Sequence, residues 1–352
     1  MHTRSTRRAA RAALLVLGLP ASAFAQGLDL TINHVGIGIG DVPEVTGLRI
    51  NYRDRNLLRV DGINVTIWNP YDDARPSVVR GIALGVPVTG AGNIDGLALG
   101  LLGAGANGRI RGVGVGLLGL GAGGSLEGIM VGGLGAGSGG AMTGIGVGGL
   151  GLGSGGRLRG IFVGGLGVGS GEDVEGLIIG GIGVGAGRDL HGISISGIAS
   201  GAGRDVQGIT IAGIAAGAGG DLTGITVAGI AAGAGGTLKG LTIAGIASGA
   251  PRLRGVALAG IAAGGLDVRG VVFAGAWMRV GGDERRNAEY IPGEFTGLTV
   301  SSFNQIRGAQ HGLAIGIVNY AEELHGVQLG LINIARNNPS GARVLPVINY
   351  HR

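Results

Sequence analysis

One glycine sets the terms for this chain. From Gly96 it returns every sixteen residues, at Gly112, Gly128, Gly144, Gly160, Gly176, Gly192, Gly208, Gly224 and Gly240, and then after fifteen at Gly255 and Gly270. The phrase it anchors reads Gly208-Ile209-Thr210-Ile211-Ala212-Gly213-Ile214-Ala215-Ala216-Gly217-Ala218-Gly219-Gly220-Asp221-Leu222-Thr223, and Gly224 begins it again. An array of this kind grows by adding like units to a stack. The 352 residues are therefore expected to form one elongated domain instead of two cores.

With this glycine numbered position 4, large aliphatics hold positions 2, 5, 7 and 10, as in Leu222, Ile225, Val227 and Ile230. Positions 8, 9, 11 and 13 to 15 carry Gly, Ala or Ser. So many glycines in every turn would undo a helix, at about 1 kcal/mol each against Ala. Two short strands, near positions 4 to 8 and 10 to 13 with glycine corners between them, fit the pattern. On this reading Ile225, Val227, Ile230 and their equivalents stack into a narrow core.

Two all-β architectures use such strands. In a β-solenoid each phrase is one coil and all coils share one environment. In an outer-membrane β-barrel each phrase is a strand running opposite to its neighbours, so odd and even phrases differ. Gly-Ala-Gly-Arg-Asp recurs at Gly185 and Gly201, one period apart, without two-phrase alternation. The sequence thus predicts a single β-solenoid of about 16-residue coils, with the barrel as the alternative. Membrane helices across 112–156 are not expected, because turn signals interrupt the apolar runs before the roughly 20 residues a span needs.

Residues 1–25 read as a cleaved signal peptide: Arg4, Arg7, Arg8 and Arg11, an apolar stretch from Ala12 to Leu19, then Ala23-Phe24-Ala25 before Gln26. Without those four arginines the formal +5 falls to +1, so the high pI gives no case for nucleic-acid binding. There is no Cys, hence no disulfide and no lipid-modified N-terminal Cys. The organisation expected after the signal is an N-terminal cap with irregular coils over 26–80, the regular array over 81–279, a charged loop insertion over 280–296, and C-terminal coils with a cap over 297–352.

The last of these segments changes dialect. Gly312-Leu313-Ala314-Ile315-Gly316-Ile317-Val318-Asn319-Tyr320-Ala321 is followed by Gly326-Val327-Gln328-Leu329-Gly330-Leu331-Ile332-Asn333-Ile334-Ala335. Over 297–350 the chain resembles the bacterial surface-repeat family, with its Gly-h-x-h-Gly-h-h-Asn-h-Ala units (h aliphatic). The resemblance implies an exported, surface-associated protein and brings no catalytic residues with it. The central array departs from the motif, having Ala or Gly where the family has Asn.

Four columns carry what chemistry the sequence offers. Position 1 gives Asp173, Asp189, Asp205 and Asp221, each after Gly-x-Gly-x, a calcium-column candidate because stacked carboxylates repel unless neutralised. Arg188 and Arg204 offer a salt-bridge solution, and capping of the glycine turn by Asp offers another. Position 6 gives Ser194, Thr210, Thr226 and Thr242, a ladder that matches one column of an ice-binding face; β propensity is the plainer explanation. Position 3 mixes signs, as in Arg111 beside Glu127 and Arg159 beside Glu175. His311 and His325 precede successive glycines and are expected to stack, a metal site with only half its ligands.

The loop with Asp283, Glu284, Arg285, Arg286 and Tyr290 is a candidate contact loop, since specific contacts concentrate on loops of regular scaffolds. No nucleophile motif, phosphate loop or dinucleotide fingerprint is present, so neither a catalytic residue nor a cofactor other than calcium is expected, and no small-molecule substrate is indicated. The function expected is that of a non-enzymatic exported structural or surface-associated repeat protein, adhesive or envelope-associated. Its partner would be the envelope or another protein surface, at the cell surface, outer membrane or periplasm. An integral outer-membrane barrel is the second reading, and a solenoid carbohydrate-active enzyme the third.

Overall fold

The computed structural model describes residues 27–68, 76–282 and 291–352. These are all β, without a helix, and they form a β-solenoid. Each coil of the array supplies a long and a short strand, Leu222–Ala228 and Ala231–Ala234 in the coil built on Gly224. Each strand lies parallel to its counterparts one coil before and one coil after. Gly208, Gly224 and Gly240 stand in one file, and Ala215, Ala231 and Ala247 in another. Neighbouring strands of an outer-membrane barrel run antiparallel. Parallel pairing of like with like therefore removes that barrel as a fold for this chain.

The described residues divide into two compact units, one ending at residue 148 and the other running from residue 149. The first begins with an antiparallel hairpin, Leu28–Ile32 against Val35–Ile39, whose second strand then pairs in parallel with Glu44–Asn51. The second ends with Val344–His351 laid antiparallel on Val318–Ala335. Each unit therefore finishes a parallel ladder with a strand of opposite direction.

The position-4 glycine has a backbone that only glycine adopts readily. At Gly224 φ is +119°, and a Cβ there would lie 2.1 Å from the carbonyl oxygen of Gly208 in the coil below. The same two conditions recur at Gly112 and Gly128 in the first unit and at Gly208 and Gly240 in the second. Close approach and left-handed φ together make this column obligatory.

The inside and outside of the coil are the reverse of the sequence expectation. Leu222 and Thr226 are each 1% exposed and Ala228 is buried, whereas Ile225 and Ile230 are 43% and 42% exposed. The strand does not start at the glycine but runs through it, from position 2 to position 8. Side chains alternate along a strand, so with Leu222 inside, positions 6 and 8 are inside and positions 5 and 7 outside. Ile225, Val227 and Ile230 are thus not the core.

What fills the coil is a narrow column from positions 2, 6, 8 and 12. In the coils on Gly112 and Gly128 the volumes at positions 6 and 12 offset one another. Gly114 faces Leu120, whose methyl carbons would lie 2.8 Å from any Cβ added there, and in the next coil Met130 and Ala136 are both buried. Large opposite small keeps a narrow interior filled without strain.

The end coils use polar cores. In the first unit Arg49 is fully buried. It donates to the Val42 carbonyl at 2.8 Å and to Asn64 Oδ1 at 3.0 Å and is ion-paired with Asp54, which also accepts from the Thr66 hydroxyl at 2.6 Å. In the second unit the Asn of the C-terminal motif forms a buried ladder. Asn304 Nδ2 donates to Asn319 Oδ1 and Asn319 Nδ2 to Asn333 Oδ1, both at 2.7 Å.

Candidate interaction surface

The carboxylates of the position-1 column are spent on the backbone of the following coil. Asp189 Oδ1 accepts from the Asp205 N–H at 3.2 Å, Asp205 Oδ1 from Asp221 N–H at 2.7 Å, and Asp221 Oδ1 from Thr237 N–H at 2.7 Å. Capping by Asp thus reaches across coils instead of closing its own turn. Arg188 binds Asp173 through both nitrogens, at 3.1 and 3.0 Å, and Glu172 at 3.1 Å, while Arg204 pairs with Asp189.

Burial pushes the Asp173 and Asp189 carboxyls up, but hydrogen bonds from Arg188 and Arg204, with their charges, outweigh it and hold both below the usual carboxylate value. These contacts relieve the repulsion that suggested calcium. Among the described residues no group of three or more His, Asp or Glu side chains is placed to hold a metal ion.

Position 3 lies beside this column. Arg111 donates to Glu127 at 2.8 Å and Arg159 to Glu175 at 2.7 Å, each across one coil. The Arg111 hydrogen bond lowers the Glu127 carboxyl below its ordinary value. His311 and His325 do stack, with ring centroids 4.9 Å apart, and His351 of the closing strand meets His325 edge-on at 5.9 Å.

Two further expectations meet different ends. The column of Ser194, Thr210, Thr226 and Thr242 is buried, not laid out on a face, and Ser194 Oγ donates to Thr210 Oγ1 at 3.3 Å. It offers nothing to ice, because the strand's alternation turns position 6 inward. Asp283, Glu284, Arg285, Arg286 and Tyr290 lie outside the described residues, as do residues 1–25 and most of the 70–76 loop.

In each unit the outward side chains of positions 5, 7 and 10 form a ladder of exposed aliphatics. In the first unit the ladder starts on the hairpin, where Leu28, Leu30 and Ile32 lie opposite Ile39, Ile37 and Val35, all exposed. It passes from Ile37 to Leu48 and on coil by coil to Ile129 with Val131 and Ile145 with Val147, four exposed side chains. In the second unit Ile193, Ile225 and Val256 at position 5 accompany Ile211, Ile243 and Phe273 at position 7. Ile182, Ile198, Ile214, Ile230, Ile246 and Ile261 form the position-10 ridge. The ladder of this unit reaches its closing strand, where Leu329 pairs with Ile348 and Val327 with Tyr350. Monomeric proteins seldom expose contiguous apolar patches beyond a few hundred Å².

Charge is confined to the other edge of the coil. Positions 5 to 14 of the coils based on Gly81 through Gly255, from residues 82–91 to residues 256–265, contain no Asp, Glu, Lys, Arg, His, Asn or Gln. Asp95, Arg109, Arg111, Glu127, Asp173, Arg188, Asp205, Lys239 and Arg254 all fall at positions 16, 1 or 3. Sequence reasoning missed the ladder by placing its members in the core. The buried Leu at position 2 was the signal, since it fixes which side of the strand is inside.

The chain matches no known family, no curated protein and no solved structure.

Proposed function

We propose that this is a non-enzymatic, exported, envelope-associated structural protein, and that the aliphatic ladder of positions 5, 7 and 10 is its contact surface. The single observation behind this is the segregation of side chains within the coils from Gly81 to Gly255: exposed large aliphatics fall at positions 5, 7 and 10, and the charged residues at positions 16, 1 and 3. Exposing Ile and Leu in coil after coil opposes solubility and gains nothing for a chain that stays free in water. The export signal expected over 1–25 and the resemblance of 297–350 to the surface-repeat family favour the envelope as the place where such a face is covered. The carbohydrate-active reading is less favoured, because the aligned carboxylates at position 1 accept hydrogen bonds from backbone N–H groups and arginines.

Fractionation of cells expressing the full chain provides the test. The protein is expected in the envelope pellet and to resist salt washing, since its contact is apolar. Recovery of most of it in the cytosol, or in soluble form from the periplasm or medium, would overturn the proposal.

A further inference from the structure

We infer that the aliphatic ladder is covered by the hydrocarbon of a lipid surface, in which the coils lie edge-on with their charged edge in the headgroup layer. This rests on the reading of the ladder as a contact surface and names its occupant. Three observations favour lipid over a second copy of the chain.

The first is that the apolar surface turns a corner. Ile225 and Val227 face out from the long strand, Ile230 projects at the turn, and Ala231 and Gly233 form the outer side of the short strand. A flat protein partner covers one such side and leaves the others in water. A fluid apolar phase covers all of them together.

The second is the place of the charge. Asp221 and Thr223 at positions 1 and 3 are nine and seven residues from Ile230 in the sixteen-residue coil, and this separation of charged from apolar positions holds in every coil from Gly81 to Gly255. An element with one polar and one apolar edge settles in a membrane interface, as an amphipathic helix does. The four residues of positions 5 to 8 reach about 10 Å at roughly 3.3 Å each. That is less than the ~15 Å hydrocarbon depth of one leaflet, so the coil is a wedge that does not span.

The third concerns the backbone. Hydrocarbon tolerates no unpaired N–H or C=O, and turns are where these are usually left to water. Here Gly229 N–H donates to the Ala212 carbonyl at 3.1 Å, and the Ile230 and Ala231 N–H groups to the Ile214 carbonyl at 2.8 and 3.0 Å. In the first unit Gly133, Leu134 and Gly135 repeat the arrangement on Gly116 and Leu118. The apolar turn thus donates these N–H groups to the preceding coil instead of to water.

The test uses the chain lacking residues 1–25, with Trp68 and Trp277 replaced by Phe and one tryptophan introduced, either Ile214→Trp on the ridge or Thr223→Trp on the charged edge. Each protein is mixed with phosphatidylcholine and phosphatidylglycerol vesicles and floated. Its fluorescence is then compared with vesicles brominated along the acyl chain. Flotation is expected for both, with Ile214→Trp quenched several-fold more than Thr223→Trp. A triple Ile193→Ser, Ile209→Ser, Ile225→Ser variant that keeps the β circular dichroism spectrum is expected to lose flotation at least tenfold. Equal quenching at the two sites would overturn the edge-on placement. Absence of flotation with a concentration-dependent dimer in sedimentation equilibrium would assign the ladder to a second copy and overturn lipid while sparing the contact surface. Absence of flotation from a soluble monomer would overturn both this inference and the function proposed above.

Discussion

Two stretches of the second unit fill the same inward column with opposite chemistry. At position 12 the coils of the array place Ala216, Ala232 and Ser248, and the C-terminal coils place Asn304, Asn319 and Asn333 in the file that continues from Ala263 through Met278. The alanine coils gain little from this column beyond filling it. They hold register through strand pairing and the glycine at position 4. The asparagine coils gain a chain of side-chain hydrogen bonds that is satisfied only when the coils are aligned, which makes register energetically specific. Identical backbone geometry can thus be stabilised from a nearly featureless interior or from a polar one, and the polar one is placed next to the strand that ends the stack.

The largest expected effect addresses what the two stretches share. Gly224→Val and Gly312→Val both put a Cβ about as close as 2.1 Å to a carbonyl oxygen at left-handed φ. Each should lower stability by more than about 3 kcal/mol, read as loss of the cooperative transition in thermal circular dichroism. A mild effect at either one would refute a common backbone.

The next effect separates the stretches. Asn319→Leu removes the partner of Asn304 on one side and of Asn333 on the other, leaving two buried amides short of a bond, at about 3 kcal/mol in all. Native-state hydrogen exchange should show this loss in 304–349, with the coils of 209–250 little changed, because repeat arrays open locally.

The reciprocal change is smaller. Ala232→Asn buries a lone amide between Ala216 and Ser248 and should cost about 2 kcal/mol. Ala216→Asn added to it supplies a ladder partner and should return part of that loss, measured as a non-additive pair in denaturant melts. Simple additivity would show that the C-terminal ladder depends on more than adjacent amides.

Acidification should have the smallest effect. The Asn ladder has no proton to gain, whereas Asp173, Asp189 and Glu127 have carboxyls held below their ordinary values. A depressed folded value adds stability that is complete above the unfolded value and lost as pH falls through the folded one. Exchange protection near Asp173 and Asp189 should therefore decline only below the usual carboxylate range, while 304–349 stays unchanged. Solvent screening keeps the decline slight.

The backbone of this protein is legible in its sequence, and its orientation is not. The sixteen-residue spacing dictates coils, and the lack of alternation between phrases argues for parallel stacking over a barrel; both follow from counting. The error at Ile225, Val227 and Ile230 came from assuming that the larger side chains must be the buried ones. Many inward sites of this narrow coil take small side chains, as at Ser194, Ala212, Ala216 and Ala228, while larger aliphatics such as Ile225 and Ile230 stand outside. The Asp column was visible, but its bond partners one coil away depend on how the turns overlie each other. The buried role of Asn304, Asn319 and Asn333 was likewise hidden, although the motif containing them was plain.

The file of glycines from Gly208 through Gly224 to Gly240 implies something about inheritance. Each coil takes its alignment from its immediate neighbours, and one such coil corresponds to a stretch of sixteen codons. Duplication or loss of that stretch in frame hands every remaining coil a neighbour of the same kind. The number of coils is therefore free to drift between descendants of this gene, while the cross-section, with its wet edge and its greasy edge, is handed down intact.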